Sequence, residues 1–162
     1  MIADVGKLNE ETVRLLQEHS MTISAAESCT GGLFCALITS VAGASDVLNE
    51  GFVTYANTAK MKYLGVKEST IITYGAVSSE TAYEMAQGLY ERTDADVTVG
   101  ITGIAGPGGG TAEKPVGLVF AGICVNGSTE VMEMRHSGTR DEVREKTCRC
   151  VFEKIISIVS AR

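Results

Sequence analysis

The residues Ala25-Ala26-Glu27-Ser28-Cys29-Thr30-Gly31-Gly32 stand between a predicted strand and a predicted helix. Residues 22–26 form a short strand candidate, and the nearly all-apolar segment GGLFCALIT, residues 31–39, is typical of a buried helix. A cluster of small polar residues at such a strand-to-helix turn suits a reactive or anion-binding site. A turn that only connects a strand to a helix does not need so many small polar residues. The rest of the sequence must therefore distinguish a functional site from a simple connection.

A second strand-to-helix turn is predicted in the segment GFVTYANTAK, residues 51–60. Residues 51–55 are rich in strand-forming side chains, and Asn57 is a plausible cap for a short helix over residues 58–64 that ends at Gly65. The chain therefore repeats the same type of turn, again with polar residues on it.

The remaining elements alternate between helix and strand. Apolar spacing predicts a first helix over residues 5–19 and a later helix that Ser78 or Ser79 caps and that extends to about residue 90. The other predicted elements are a strand at residues 96–102, a hairpin of residues 116–125 and 129–136 around Asn126-Gly127, and a last helix from the capping box Thr139-x-x-Glu142. This order predicts an α/β fold, a single three-layer domain over residues 1–162 with a mixed sheet and helices on both faces.

Composition limits the classes of partner. The chain has 162 residues, of which 44% are hydrophobic and 21% charged, and a net charge of −6, which is an ordinary globular composition. Its 14 basic residues form no run that indicates a nucleic-acid or membrane partner. The longest apolar run, residues 116–125, is about half as long as a membrane span. We expect a cytoplasmic protein whose partners are small molecules or another protein chain.

The cysteines give no metal signature. Cys29, Cys35, Cys124, Cys148 and Cys150 are odd in number and lack the spaced pairs of a zinc ribbon or a redox motif, which fits a reducing compartment. Cys148 and Cys150 resemble a ligand pair, but on a helix positions two apart point in nearly opposite directions. We therefore expect no metal site.

Ser28 is the first candidate for chemistry. At a helix start its hydroxyl is expected among the unpaired backbone N–H groups of Thr30, Gly31 and Gly32, which can hold an oxyanion or a phosphate without a charged side chain. A helix-capping serine is the alternative interpretation. Cys29 beside it is a rival nucleophile, so this segment alone leaves the identity of the nucleophile open.

A serine nucleophile needs a proton acceptor. The two histidines, His19 and His136, are poorly placed to form the usual His–Asp pair. The second turn offers Tyr55 at a strand end and Lys60 in the first turn of the next helix, so both can face one pocket. Burial and a helix N-terminus favour the neutral form of a lysine, as a general base requires. The alternative is a solvated lysine beside a half-buried tyrosine.

A glycine-rich loop, GIAGPGGG at residues 103–110, follows a predicted strand. The loop matches neither the P-loop nor the GxGxxG pattern, but it lies at the carboxyl end of a strand, where ligands of α/β folds bind. Arg140, just after the cap of the last helix, is a candidate phosphate clamp or a solvated surface arginine. The candidates to bind an anion or a carbonyl group are Thr102 and the backbone amides of Gly103, Ile104, Ala105 and Gly106.

Five segments in this order resemble the CinA carboxy-terminal domain family, the bacterial nicotinamide-nucleotide amidases. They are AESCTGG, GFVTYANTAK, GAVS at residues 75–78, TGIAGPGGGTAEKPVG at residues 102–117 and SGTRDEVR at residues 137–144. Together they span almost the whole chain. The sequence resembles the stand-alone form of the family, which we expect to lack the amino-terminal domain that some members carry.

The resemblance implies hydrolysis of the carboxamide of nicotinamide mononucleotide to nicotinate mononucleotide and ammonia, a step of pyridine nucleotide recycling. It implies Ser28 as the nucleophile, assisted by Tyr55 and Lys60, in an α/β fold that forms a homodimer and needs no metal or other cofactor. The residues expected to bind substrate are Thr30, Gly31, Gly32, Asn57, Thr102, Gly103, Ile104, Ala105, Gly106 and Arg140. A nucleotide sensor without chemistry, hydrolysis through Cys29 and a scaffold role stay open as alternatives.

Overall fold

A five-stranded mixed sheet in the order β2-β1-β3-β4-β5 forms the centre of the molecule. The computed structural model of the chain describes residues 2–162. Its strands are β1 (Ile23–Glu27), β2 (Leu48–Val53), β3 (Val97–Gly103), β4 (Leu118–Val125) and β5 (Ser128–Arg135). β1 runs parallel to both β2 and β3, whereas β4 is antiparallel to β3 and to β5.

Helices cover both faces of this sheet. They are α1 (Ile2–Glu18), α2 (Leu33–Thr39), α3 (Asn57–Leu64), α4 (Glu68–Tyr74), α5 (Ser79–Tyr90) and α6 (Arg140–Ser160). Successive side chains of β1 point to opposite faces, so Ala25 packs in the core beneath α1, α2 and α6 while Ala26 packs beneath α3 and α5. The predicted α/β fold with a mixed sheet and helices on both faces is confirmed.

Local sequence signals located several of these elements correctly. Asn126 and Gly127 have φ values of 50° and 86°, as the predicted two-residue hairpin turn requires. Thr139 and Glu142 form the predicted capping box at the start of α6. No helix within residues 2–162 is both long and apolar enough to cross a membrane.

One prediction at α3 was wrong, and α4 was missed. Asn57 is the first residue of α3 and its side chain does not cap the helix, because Ala56 occupies the capping position. α4 was not predicted at all, since the sequence ESTIITY is rich in β-branched residues that favour strands. Tertiary contacts override that preference: the Glu84 carboxylate on α5 accepts hydrogen bonds from the Lys67 N–H and the Thr70 hydroxyl at 2.8 and 2.7 Å.

Candidate active site

The carboxyl ends of the three parallel strands meet at one edge of the sheet. Ser28 follows β1, Tyr55 lies two residues beyond β2, and the glycine-rich loop follows β3. A cleft of about 270 Å³ opens at this edge. In the sheet, β2 and β3 lie on opposite sides of β1, so the cleft lies where ligands of open α/β sheets bind.

The cleft brings together most of the predicted site residues. Its walls include Ser28, Tyr55, Asn57, Lys60, Thr102, Gly103, Ile104, Ala105, Gly106 and Arg140. Cys29, Ala76, Val77, Gly108 and Gly109 complete its lining. Thr30, Gly31 and Gly32 are not among the residues that line it, so the structure gives these three no contact with the cleft.

Ser28 and Lys60 are in direct contact at the bottom of the cleft. The Lys60 Nζ lies 3.0 Å from the Ser28 Oγ. The same nitrogen lies 2.8 Å from the carbonyl oxygen of Thr54 and 3.1 Å from that of Tyr55. Only 1% of Lys60 is exposed, so the alternative of a solvated surface lysine is excluded.

The three hydrogen-bond partners of Lys60 are compatible with a role as a base. Carbonyl oxygens only accept hydrogen bonds, so the Thr54 and Tyr55 carbonyls take two N–H groups of Lys60. A neutral amine has two N–H groups and one lone pair, which then points to the remaining partner, the Ser28 hydroxyl. The geometry therefore lets neutral Lys60 accept the Ser28 proton.

The surroundings of Lys60 favour its neutral form. Burial removes water from the ammonium group and lowers the pKa of Lys60 to about 8. A buried lysine with a lowered pKa beside a serine hydroxyl is the arrangement of an activated nucleophile.

Cys29, the rival nucleophile, is in the opposite electrostatic situation. Its side chain lines the cleft but is only 6% exposed. Burial is the main cause that raises the pKa of the Cys29 thiol to about 12. The thiolate is the reactive form of cysteine, so this environment disfavours nucleophilic attack by Cys29.

The predicted cradle of free amides after Ser28 was wrong for Gly31 and Gly32. The Gly31 N–H donates to the Ser28 carbonyl oxygen at 3.0 Å, and the Gly32 N–H donates to the Glu27 carboxylate at 3.0 Å. α2 begins only at Leu33, so Ser28 precedes the helix and neither starts nor caps it. Thr30 is fully buried, and its carbonyl oxygen accepts hydrogen bonds from Arg144.

The glycine-rich loop contains amides that are free to bind a ligand. Within residues 2–162, the N–H groups of Ala105 and Gly106 donate no hydrogen bond, and both residues line the cleft. The Ile104 N–H is already used, because it donates to the Leu118 carbonyl oxygen at 2.9 Å. The Thr102 hydroxyl donates to the Ala76 carbonyl oxygen at 2.7 Å. This hydrogen bond joins β3 to the segment before α5, which also lines the cleft.

Arg140 and Tyr55 form a pair at the rim. The Arg140 guanidinium donates to the Tyr55 phenol oxygen at 3.0 Å and to the Gly106 carbonyl oxygen at 2.7 Å. Its remaining N–H groups can bind an anion, since a guanidinium carries five donors. The Tyr55 phenol forms its hydrogen bond with Arg140, so the structure shows no contact that places this hydroxyl between Ser28 and Lys60.

Sequence reasoning missed Glu27. This glutamate is fully buried at the end of β1, directly before Ser28, and its carboxylate accepts three backbone N–H groups of the following turn and helix. The local signal was weak: an acidic residue before a turn whose capping position, Gly32, has no side chain to cap α2.

Metal ligands are not grouped in the part of the chain that the structure describes. Within residues 2–162, no three His, Cys, Asp or Glu side chains are arranged to hold a metal ion. Cys148 and Cys150 both lie on α6. Cys148 is buried and Cys150 is only partly buried, so the two thiols occupy different environments.

Comparison with known proteins gives a consistent result. The model of the CinA C-terminal domain matches residues 5–159. A putative competence-damage inducible protein from Clostridium perfringens is 49% identical over 146 residues, and a CinA-like protein from Kosmotoga olearia is 52% identical over 139 residues. These alignments cover 90% and 86% of this chain but 35% and 34% of the two relatives. The chain thus spans about a third of the length of the curated relatives it matches.

Solved structures match over nearly their full length. A competence/damage inducible protein from Agrobacterium tumefaciens is 45% identical with a TM-score of 0.93, and the match covers 95% of this chain and 94% of that one. A competence-damaged protein (CinA) superfamily member from Klebsiella pneumoniae is 28% identical with a TM-score of 0.94, over 98% and 99% of the two chains.

Proposed function

This chain belongs to the CinA C-terminal domain family, and from that premise we propose that it converts nicotinamide mononucleotide to nicotinate mononucleotide and ammonia. The observation that carries the proposal is the contact of 3.0 Å between the Ser28 Oγ and the Lys60 Nζ at the bottom of the cleft. A buried serine–lysine pair suits acyl transfer, and an amide is a substrate for that chemistry.

In the first step Ser28 attacks the carboxamide carbon. Neutral Lys60 takes the hydroxyl proton as the Oγ–carbon bond forms, and the electron-poor pyridinium ring makes this carbon more electrophilic. Lys60 then gives the proton to the departing nitrogen, which leaves as ammonia. Water hydrolyses the resulting ester by the reverse path, with Lys60 again as base, and this step regenerates Ser28.

The developing negative charge on the substrate oxygen needs hydrogen-bond donors. The N–H groups of Gly31 and Gly32 already have acceptors, so they are unsuited to this role. We assign it to the free amides of Ala105 and Gly106 on the glycine-rich loop. One such donor typically lowers the barrier by about 3–4 kcal/mol.

The 5′-phosphate of the nucleotide needs a cation. Arg140 lines the cleft together with Tyr55 and Asn57, and several of its N–H groups are unused. We assign the phosphate to Arg140, because guanidinium and phosphate pair through two parallel hydrogen bonds. As an amidase the protein acts in pyridine nucleotide recycling, as a cytoplasmic homodimer without metal or cofactor.

Ammonia release from nicotinamide mononucleotide tests the proposal. Wild-type protein and the Ser28→Ala and Cys29→Ala variants are incubated with the nucleotide in the presence of a chelator, and ammonia and nicotinate mononucleotide are measured. We expect turnover by the wild type and by Cys29→Ala, and none by Ser28→Ala.

The other outcomes identify the alternatives. Loss of turnover in Cys29→Ala with retention in Ser28→Ala assigns the chemistry to the cysteine. Binding of the nucleotide by all three proteins without any ammonia makes the protein a nucleotide sensor.

A further inference from the structure

We propose that Glu27 is a positioning residue, whose buried carboxylate holds the turn that bears Ser28 so that the hydroxyl faces Lys60. This inference deepens the proposed function and rests on the role given there to Ser28. Glu27 is absent from the walls of the cleft, so it acts through Ser28 and has no contact with the substrate.

The carboxylate joins the two ends of the Ser28 turn. Its Oε2 accepts the N–H groups of Gly32 and Phe34, each at 3.0 Å, and its Oε1 accepts that of Cys35 at 2.9 Å. Residues 28–31 lie between these contacts and the Glu27 backbone. The capping position of α2 is Gly32, which has no side chain, so Glu27 supplies the cap from five residues upstream.

The backbone of Glu27 fixes the base as well. Its carbonyl oxygen accepts the Thr54 N–H at 2.9 Å, and the Thr54 carbonyl oxygen accepts a hydrogen from Lys60 at 2.8 Å. The Ser28 N–H donates to the Ile101 carbonyl oxygen on β3 at 3.0 Å. The backbone of Glu27 therefore links the end of β1, which carries the nucleophile, to the turn after β2, which carries the base.

Only a carboxylate of this length satisfies the three donors. Glutamine has the same shape, but its NH₂ group replaces one acceptor and faces a backbone N–H, so one contact becomes repulsive. Aspartate keeps both oxygens and is one methylene shorter. Full burial of a carboxyl group is costly unless its oxygens are hydrogen-bonded, and the three backbone N–H groups meet that requirement.

The reactivity of Ser28 toward phenylmethylsulfonyl fluoride tests this role without the natural substrate. In that reaction the Ser28 Oγ bonds to sulfur, fluoride leaves, and the hydroxyl proton passes to Lys60. The labelling rate is measured by intact-protein and peptide mass spectrometry for wild type, Glu27→Gln and Glu27→Asp. Glu50→Gln, an exposed glutamate on β2, is the matched control, and Ser28→Ala is the blank.

We expect Glu27→Gln to label Ser28 about 100-fold more slowly, since a displaced nucleophile loses that much rate. With nicotinamide mononucleotide the kcat should fall by a similar factor, while KM stays within about twofold and the pH midpoint is unchanged. Glu27→Asp should lie between glutamine and wild type, and Glu50→Gln should match wild type. All rates are measured below the melting temperature of each variant and corrected for the folded fraction.

Wild-type labelling rates in folded Glu27→Gln and Glu27→Asp overturn the proposal, as does a rate that falls only in proportion to the folded fraction. A wild type in which Ser28 is never labelled also overturns it, because no positioned nucleophile is then present. Labelling of wild-type Ser28 without ammonia release removes only the proposed amidase substrate and leaves the role of Glu27 supported.

Discussion

The Lys60 Nζ lies 3.0 Å from the Ser28 Oγ, although the two residues are 32 positions apart in the chain. Parallel pairing of β1 with β2 brings their carboxyl ends to the same edge, so the turn after one strand faces the turn after the other. The carbonyls of Thr54 and Tyr55 then orient the lysine. The turn and helix after β2 thus place the base beside the nucleophile in the turn after β1.

Replacing Lys60 by methionine should abolish most of the activity. Methionine fills a similar volume but cannot accept the Ser28 proton, so we expect kcat for ammonia release to fall by about 10²–10⁴-fold. Lys62→Met is the control, because Lys62 lies on the same helix and is exposed. Equal activity of Lys60→Met and wild type, measured as ammonia release, contradicts the role of Lys60.

Activity should rise with pH and level off above the pKa of Lys60. Burial lowers that pKa to about 8, so the neutral, proton-accepting form is a minority at pH 7 and becomes dominant as pH rises past this value. Below it, kcat/KM should fall about tenfold for each pH unit. A rate that still increases tenfold per unit at pH 10 points instead to the Cys29 thiol, whose pKa burial raises to about 12.

Much of the fold follows from local sequence signals. The Asn126-Gly127 turn and the Thr139–Glu142 capping box depend only on neighbouring residues, and both were predicted correctly. α4 could not be predicted in the same way, because its β-branched sequence is held in a helix by the Glu84 carboxylate of another element. Such a contact exists only after the chain has folded.

The candidate site, like the fold, could be predicted from the sequence only in part. Ser28 and Lys60 stand on turns that sequence alone identifies, and the structure brings them together. The availability of an amide depends on its acceptor in the folded chain, which is why the N–H groups of Gly31 and Gly32 were wrongly expected to be free. The acceptor of the Gly32 N–H is Glu27, a residue with no local signal strong enough to reveal its capping contacts.

Removing the phenolic hydroxyl of Tyr55 should leave the chemical step intact. The phenol oxygen accepts a hydrogen bond from Arg140 at 3.0 Å and contacts neither Ser28 nor Lys60 through a hydrogen bond. In Tyr55→Phe we expect an unchanged kcat and pH profile, and a KM that rises about fivefold as Arg140 loses one partner. Tyr63→Phe, on the exposed side of α3, is the control.

A lower kcat or a displaced pH midpoint in Tyr55→Phe gives the opposite answer. Such a result places the phenol in the proton path, which is the role that the family resemblance implies for it.

Arg140 should determine the affinity for the phosphate of the substrate. Arg140→Gln removes the charge, so we expect KM for nicotinamide mononucleotide to rise about 10- to 100-fold. The KM for nicotinamide riboside, which lacks the phosphate, should stay the same. Arg135→Gln on β5, whose side chain pairs with Glu133, is the control. Equal losses for both substrates show that Arg140 holds the shape of the cleft through Gly106 and does not bind phosphate.

α5 packs against the sheet at a pair of glycines. Gly100 and Gly122 lie opposite each other on β3 and β4. A Cβ added at Gly122 lies 2.3 Å from the Ala82 carbonyl oxygen, and one added at Gly100 lies 2.6 Å from the Met85 Cβ. The helix backbone therefore rests directly on the glycine pair, and a methyl group can be admitted only if α5 moves away.

We expect Gly122→Ala to lower the free energy of unfolding by about 1–3 kcal/mol, as overpacking against backbone typically does. Urea denaturation measures it, with Gly108→Ala as the control because a Cβ there meets nothing within 4 Å. Equal midpoints for the two variants mean that α5 tolerates the shift. The displacement should also reach the cleft, since α5 continues from the segment whose Ala76 carbonyl is bound by Thr102, so Gly122→Ala should raise KM even where the protein remains folded.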